Sequence, residues 1–194
     1  MGIYYDANDP TKVTLCTYAA SKLAAAKHVF VVGDFNNWQI SEEYQLKQDG
    51  NYFWIELTGL TPQKEYAMQY VVVRSDGVVK RISDLFSEKV VHSDDQWEPM
   101  TVDPTLMPYP QEADGYATVI QTGKPAFQWS DATLNFKRPN KNNLVIYELW
   151  VYDHTQFRSI EGLMDRLQYF EDMGVNAIEL MPVTEFDGNE NWGY

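Results

Sequence analysis

A single cysteine, Cys16, rules out an internal disulfide, so the fold must rest on a packed core. Cys16 itself lies in an alternating apolar run and reads as a small core residue. Positive charge is also scarce: 15 Lys and Arg stand against 28 Asp and Glu, for a formal net charge of −13. A field of that sign repels phosphate backbones and anionic headgroups, which excludes nucleic acid as an expected partner. No apolar run approaches the roughly 20 residues that cross a bilayer. The amino terminus, MGIYYDANDP, has neither the basic nor the apolar region of a secretory signal. We therefore expect a soluble chain with no membrane span and no targeting segment, and both an exported and a cytoplasmic location stay open.

What the sequence does hold is apolar and aromatic side chains. Apolar residues make up 44% of its 194 positions, enough for a core, and aromatic residues 14%, with 6 Trp and 13 Tyr. Aromatic rings pair an apolar face with a polar edge, a combination that suits sugar rings, although most such residues fill a β-rich interior.

From Thr11 to about Val91, short β-rich runs alternate with turn residues: Lys12 to Tyr18, His28 to Val32, Tyr52 to Leu57, Tyr66 to Val73, then shorter runs near Val78 to Ile82 and Lys89 to Val91. Asp49-Gly50 and Asp76-Gly77 each fall between such runs and predict hairpins. Ala19 to Lys27 is too short for a stable helix and is expected to be a connection. This spacing predicts an antiparallel sandwich over residues 1–98. Prolines at 99, 104, 108, 110, 125 and 139 then predict a linker over 99–143, with room for a short strand at Thr118 to Gln121.

The pattern changes at Leu144. Leu144 to Trp150 reads as a strand buried on both faces. Ile160, Leu163, Met164, Leu167 and Phe170 keep helical spacing, with Ser159 as N-cap and Gly174 as the stop, and Val175 to Leu180 reads as a second strand. Strand, helix, strand predicts a right-handed parallel crossover over 144–194, the unit of both the eight-stranded barrel and the doubly wound sheet. A nucleotide-binding doubly wound sheet would need a glycine-rich loop after the first strand, and Val151 to Ser159 contains no glycine.

Two words decide between the remaining choices. LVIYELWVYDHT, from Leu144 to Thr155, and GVNAIELMPVTEFDGNENWGY, from Gly174 onward, resemble the first two barrel strands and following loop of the α-amylase superfamily, glycoside hydrolase family 13. Upstream, VFVVGDFNNWQ from Val29 to Gln39 resembles the immunoglobulin-like early-set and glycan-binding sandwiches that precede such barrels. The resemblance implies a mainly β chain: an early-set β-sandwich followed by the first β-α-β unit of an incomplete TIM barrel. It implies the amino-terminal part of a retaining, α-glucan-acting glycoside hydrolase of the starch, glycogen and maltodextrin class. A glucan branching transferase and a non-catalytic glycan-binding or scaffold module are the alternatives.

The same resemblance assigns roles to three residues. Tyr194, in the Trp-Gly-Tyr word, looks like the tyrosine that stacks on the sugar at the scissile bond, and Trp192 stands beside it. Trp38 occupies the position of a glucan-stacking tryptophan, although Val78 and Val79 stand where binding members carry its partner. Asp153, His154, Glu185, Asp187 and Asn191 follow the two strands and would line the catalytic end of a barrel. The nucleophilic Asp, the acid/base Glu and the stabilising Asp belong to later strands of the family, so no catalytic residue is expected here, and this segment alone is expected to be inactive. Glu179 and Glu185 are expected to be supporting residues. No cofactor or metal is expected within the segment, while the resemblance leaves room for calcium in the complete barrel. Expected partners are an α-glucan oligosaccharide or polysaccharide and the remainder of the chain's own barrel. Exposed barrel strands also make self-association an expected outcome.

Overall fold

The computed structural model describes residues 1–19, 24–96, 106–184 and 192. The chain divides into two compact units, Met1–Pro99 with Thr105–Ala126, and Met100–Pro104 with Phe127–Tyr194.

The first unit is built from nine strands: β1 Gly2–Tyr5, β2 Val13–Tyr18, β3 Ala26–Gly33, β4 Lys47–Asp49, β5 Tyr52–Leu57, β6 Glu65–Arg74, β7 Val79–Ile82, β8 Val90–Val91 and β9 Ala117–Gln121. They form two antiparallel sheets, the first in the order β1-β2-β5-β4 and the second in the order β3-β6-β9-β8, with β7 also on β6. Both predicted hairpins are present. In one, Asp49 pairs with Tyr52 around Gly50, whose φ of 59° needs no Cβ. In the other, Val73 pairs with Val79 around Gly77. Strand β1 carries no sequence signal of its own, because four residues are too few to show alternation.

Period-two alternation decides what the two sheets enclose. Val13, Leu15, Phe53, Ile55 and Leu57 of the first sheet meet Val29, Val31, Tyr66, Met68, Tyr70, Val72 and Ile120 of the second in one continuous core. The second sheet is buried on its other face as well. There Val32, Ala67, Val71, Ala117 and Val119 pack with Leu106, Met107, Tyr109 and Ala113, a strap of chain laid across the sheet. Gln69, fully buried on that face, fixes the strap: its side-chain amide donates to the carbonyls of Asp114 (2.6 Å) and Tyr116 (2.8 Å) and accepts from the Asp114 N–H (3.2 Å).

The structure thus differs from the expected 99–143 linker. Thr105–Ala126 lies within the first unit, and β9 pairs with β6 and β8. The prolines at 110 and 125 bracket this strand without entering it, so Ala117 to Ile120 keep every backbone donor and are all buried.

The second unit contains helix α1 Asp131–Leu134, strand β10 Ile146–Leu149, helices α2 Val151–His154, α3 Ile160–Met164 and α4 Leu167–Asp172, and strand β11 Ala177–Leu180. Strands β10 and β11 pair in parallel, Ile146 opposite Ala177 through Leu149 opposite Leu180. The Asn176 carboxamide aligns them, accepting from the Val145 N–H (2.8 Å) and donating to the Asn143 carbonyl (2.9 Å). The predicted single helix is two, because the Arg166 N–H turns back to the Leu163 carbonyl three residues earlier and tightens the chain there. Ser159 does cap α3, accepting from the Gly162 N–H (3.2 Å). Gly174, at φ 80°, closes α4, with the Val175 N–H reaching Phe170 and the Gly174 N–H reaching Glu171. Leu149, Val151, Leu163 and Phe170 form the local core.

The fold is therefore mainly β, a sandwich plus one β-α-β crossover, with no closed barrel among the described residues. No helix of the described residues is long and apolar enough to cross a membrane.

Two outcomes follow from this packing. Tyr70, fully buried, donates to the Asp84 carboxylate (2.7 Å), and burial, reinforced by that carboxylate, holds its hydroxyl well above the ordinary phenol range. An unfolded tyrosine ionises near pH 10 while Tyr70 does not, so this contribution is complete below about pH 10 and declines above it. Urea midpoints taken below and above that pH should diverge more for the native chain than for Tyr70→Phe, which should also be about 1–3 kcal/mol less stable at neutral pH. In hydrogen exchange, the β10 and β11 amides should exchange faster than those of β6, because two strands leave open edges. Equal protection throughout would contradict that expectation.

Candidate functional site

Strand β3 runs into the word Gly33-Asp34-Phe35-Asn36-Asn37-Trp38, a tightly wired loop. Gly33 lies against β6 so closely that a Cβ would meet the Ala67 carbonyl at 2.4 Å. The Asn36 carboxamide accepts from the Gly33 N–H (2.9 Å) and donates to the carbonyls of Val31 (3.1 Å) and Gln39 (3.2 Å). Asn37 and Trp38 then take left-handed conformations, φ 52° and 59°, which throw the indole back over the second sheet. Asp34 ties the turn together: one carboxylate oxygen accepts from the Trp38 indole N–H (2.9 Å) and the other from the Ala67 N–H of β6 (2.7 Å).

This geometry corrects the expectation that Trp38 offers a sugar-stacking face. Its side chain is 6% exposed, packed among Val32, Val71, Val91 and Val119 in the cluster that the strap joins. Val78 and Val79 on the neighbouring hairpin are exposed but aliphatic. The outer face of the second sheet is thus occupied by the chain itself. The sequence carried one signal of this, the absence of a second tryptophan at 78 or 79. The wiring by Asp34 was legible only in three dimensions.

At the carboxyl end of β10 the residues are of another kind. Tyr152, Asp153, His154, Thr155, Gln156, Arg158 and Arg166 line an open pocket of about 420 Å³. Tyr152 stacks on Trp150 with ring centroids 4.9 Å apart, while Arg158 lies over the other part of this arrangement, 4.1 Å from the Tyr152 ring, and donates to its hydroxyl. Arg158 holds a left-handed φ of 50° to reach there. His154 stacks on Phe170 (5.2 Å) and so serves the packing as well as the pocket wall. The sequence reading placed Asp153 and His154 here; it missed the Tyr152–Arg158 pair, which depends on the turn between α2 and α3. The lining thus combines amide, guanidinium and carboxylate groups with two rings that are already stacked on Trp150, Arg158 and Phe170.

Trp192 is 62% exposed. Tyr194, Glu185, Asp187 and Asn191 lie outside the described residues. Glu179 stands directly opposite Glu148 across the parallel pair, both exposed. They occupy the strand face opposite Tyr147 and Leu149, which pack toward the helices.

The first 87 residues match the family model for carbohydrate-binding module 48 (isoamylase N-terminal domain). Malto-oligosyltrehalose trehalohydrolase of Saccharolobus solfataricus is 34% identical over 125 residues, 64% of this chain and 20% of that protein. The 1,4-alpha-glucan branching enzyme GlgB 2 of Clostridium perfringens is 26% identical over 179 residues, 87% of this chain and 24% of that protein. Among solved structures, pullulanase from Paenibacillus barengoltzii in complex with maltohexaose and alpha-cyclodextrin superposes with a TM-score of 0.63 at 17% identity, over 96% of this chain and 27% of that one. The chain thus spans about a fifth to a quarter of the length of these relatives.

Trp38 should behave as a core residue. Trp38→Ala is expected to cost about 3–5 kcal/mol of stability in urea titrations, in line with large-to-small core changes. Loss of glucan retention by a variant of unchanged stability would restore Trp38 as a binding platform.

Proposed function

We propose that the chain is a member of the α-amylase superfamily and the amino-terminal part of an α-glucan-acting glycoside hydrolase of the retaining type, a reading supported by the module 48 match over residues 1–87 and by its similarity to trehalohydrolase and branching enzyme. The observation that carries this reading is the parallel register of β10 and β11, which sends both carboxyl ends toward one side. In a barrel that side is the catalytic one.

In this reading the segment binds and orients, and it does not break bonds. Retaining hydrolysis needs a nucleophilic and a proton-donating carboxyl about 5–5.5 Å apart. Glu148 and Glu179 are both in strands rather than at their carboxyl ends, so they support the barrel interior instead of attacking substrate. The carboxylates that act on substrate come from strands beyond these two. In this reading Tyr194 is the ring that stacks on the sugar at the scissile bond, Trp192 is a further substrate-binding ring, and the pocket lined by Tyr152 to Arg166 receives hydroxyls.

The likeness to a branching enzyme over most of the chain favours one second reading, transfer of a glucan segment to a sugar hydroxyl rather than to water. The test is to incubate the product of the complete coding sequence with maltoheptaose and with glycogen, which carries α-1,6 branches. New reducing ends from either are expected. New branch points without them would establish transfer, and no change in either glucan would overturn both readings. Tyr194→Ala in the same protein should lower kcat/KM by roughly tenfold or more.

A further inference from the structure

The two sheets of the sandwich differ in what covers them. The second is sealed on its outer face by the strap, whereas the outer face of the first carries no such cover among the described residues. An uncovered antiparallel face is ordinarily polar. Here the pairing register places Cys16 beside Trp54, Tyr18 beside Tyr52, and Lys47 on the far side of Trp54. Phe53, Ile55 and Leu57 point into the core, so Tyr52 and Trp54 point out. Tyr18 and Tyr52 are 45% and 48% exposed, and their rings meet edge to face at 5.3 Å. Trp54 sits two residues along the same strand, about 7 Å further on. The Lys47 ammonium rests 4.7 Å from its ring.

We propose that this aromatic cluster, Tyr18, Tyr52 and Trp54 on the outer face of the first sheet, is a binding platform for a neutral α-glucan chain, separate from the barrel end. The ligand class rests on the glucan reading above; the location rests on the sheet. Tyr18 and Tyr52, edge to face across neighbouring strands, and Trp54, two residues along β5, together offer aromatic surface to a sugar chain lying on the sheet. The Lys47 ammonium, on its flexible stem, and the carboxylate of Asp49, which pairs with Tyr52, supply a donor and an acceptor for hydroxyls along the margin. Charge argues for an uncharged occupant. At −13 the chain repels acidic partners, while a glucan is indifferent to that field.

The test is calorimetric titration of the 194-residue chain with maltoheptaose, with a β-1,4-linked glucan oligosaccharide as the control ligand. Binding of maltoheptaose is expected to weaken roughly tenfold in both Trp54→Ala and Tyr52→Ser and to stay unchanged in Trp129→Ala, an exposed tryptophan elsewhere. Tyr52 is half exposed, so its variant keeps the test valid should Trp54→Ala fold poorly. Wild-type binding that neither sheet variant weakens would overturn the platform and leave the glucan reading intact. Absence of wild-type binding would also overturn the platform, while the glucan conversion assay judges the functional reading independently. A dimer that Tyr52→Ser dissociates, without glucan binding, would assign the face to a second copy and overturn the proposal.

Discussion

Strand β6 is the constraint on which the sandwich depends. It is bonded to β3 on one edge and to β9 and β7 in succession on the other, and it is buried on both faces. A buried polar group left unpaired on such a strand would cost about 1–3 kcal/mol. Two of its buried polar side chains act as instructions about neighbours. Gln69 dictates where the strap crosses one face, and Tyr70 dictates, through Asp84, where the chain after β7 returns on the other. Asp84 extends that instruction, since its own N–H donates to Thr118 of β9 (2.7 Å). Hydrophobic burial makes the sandwich stable, and these few hydrogen bonds make it unique.

Local chemistry explains which parts were legible in the sequence. Asp49-Gly50 and Asp76-Gly77 announce hairpins because a positive φ is needed there, and Gly174 announces a helix end for the same reason. The parallel pair could be read because apolar runs flank an amphipathic segment. Less legible were features set by long-range contact. The proline-rich stretch reads as a linker with room for a strand at Thr118 to Gln121, and that strand is present; what the sequence hides is that it belongs to the sandwich, where Gln69 anchors partners 45 and 47 residues away. The helix break at Arg166 has no glycine or proline to mark it. Burial of Trp38 depends on Asp34 and on the strap, neither of which periodicity reveals.

The candidate sites follow from the same accounting. A word that resembles a glycan-binding motif here serves to bolt the indole under the strap, so a conserved-looking pattern has been put to structural use. Side chains left over after packing is complete lie at the carboxyl end of β10 and along the open face of the first sheet, and both places set rings beside charged groups.

The parallel strands carry a further consequence, one that concerns the order of events on the ribosome. All nine sandwich strands precede β10 in the chain, so the sandwich can complete its hydrogen bonding while the later strands are still being made. When β10 and β11 emerge they pair with each other but leave an edge free on either side, and Glu148 sits across from Glu179. Like charges in register weaken that pair. The nascent chain thus carries a completed sandwich ahead of two parallel strands whose mutual repulsion acts as a gatekeeper against premature sticking.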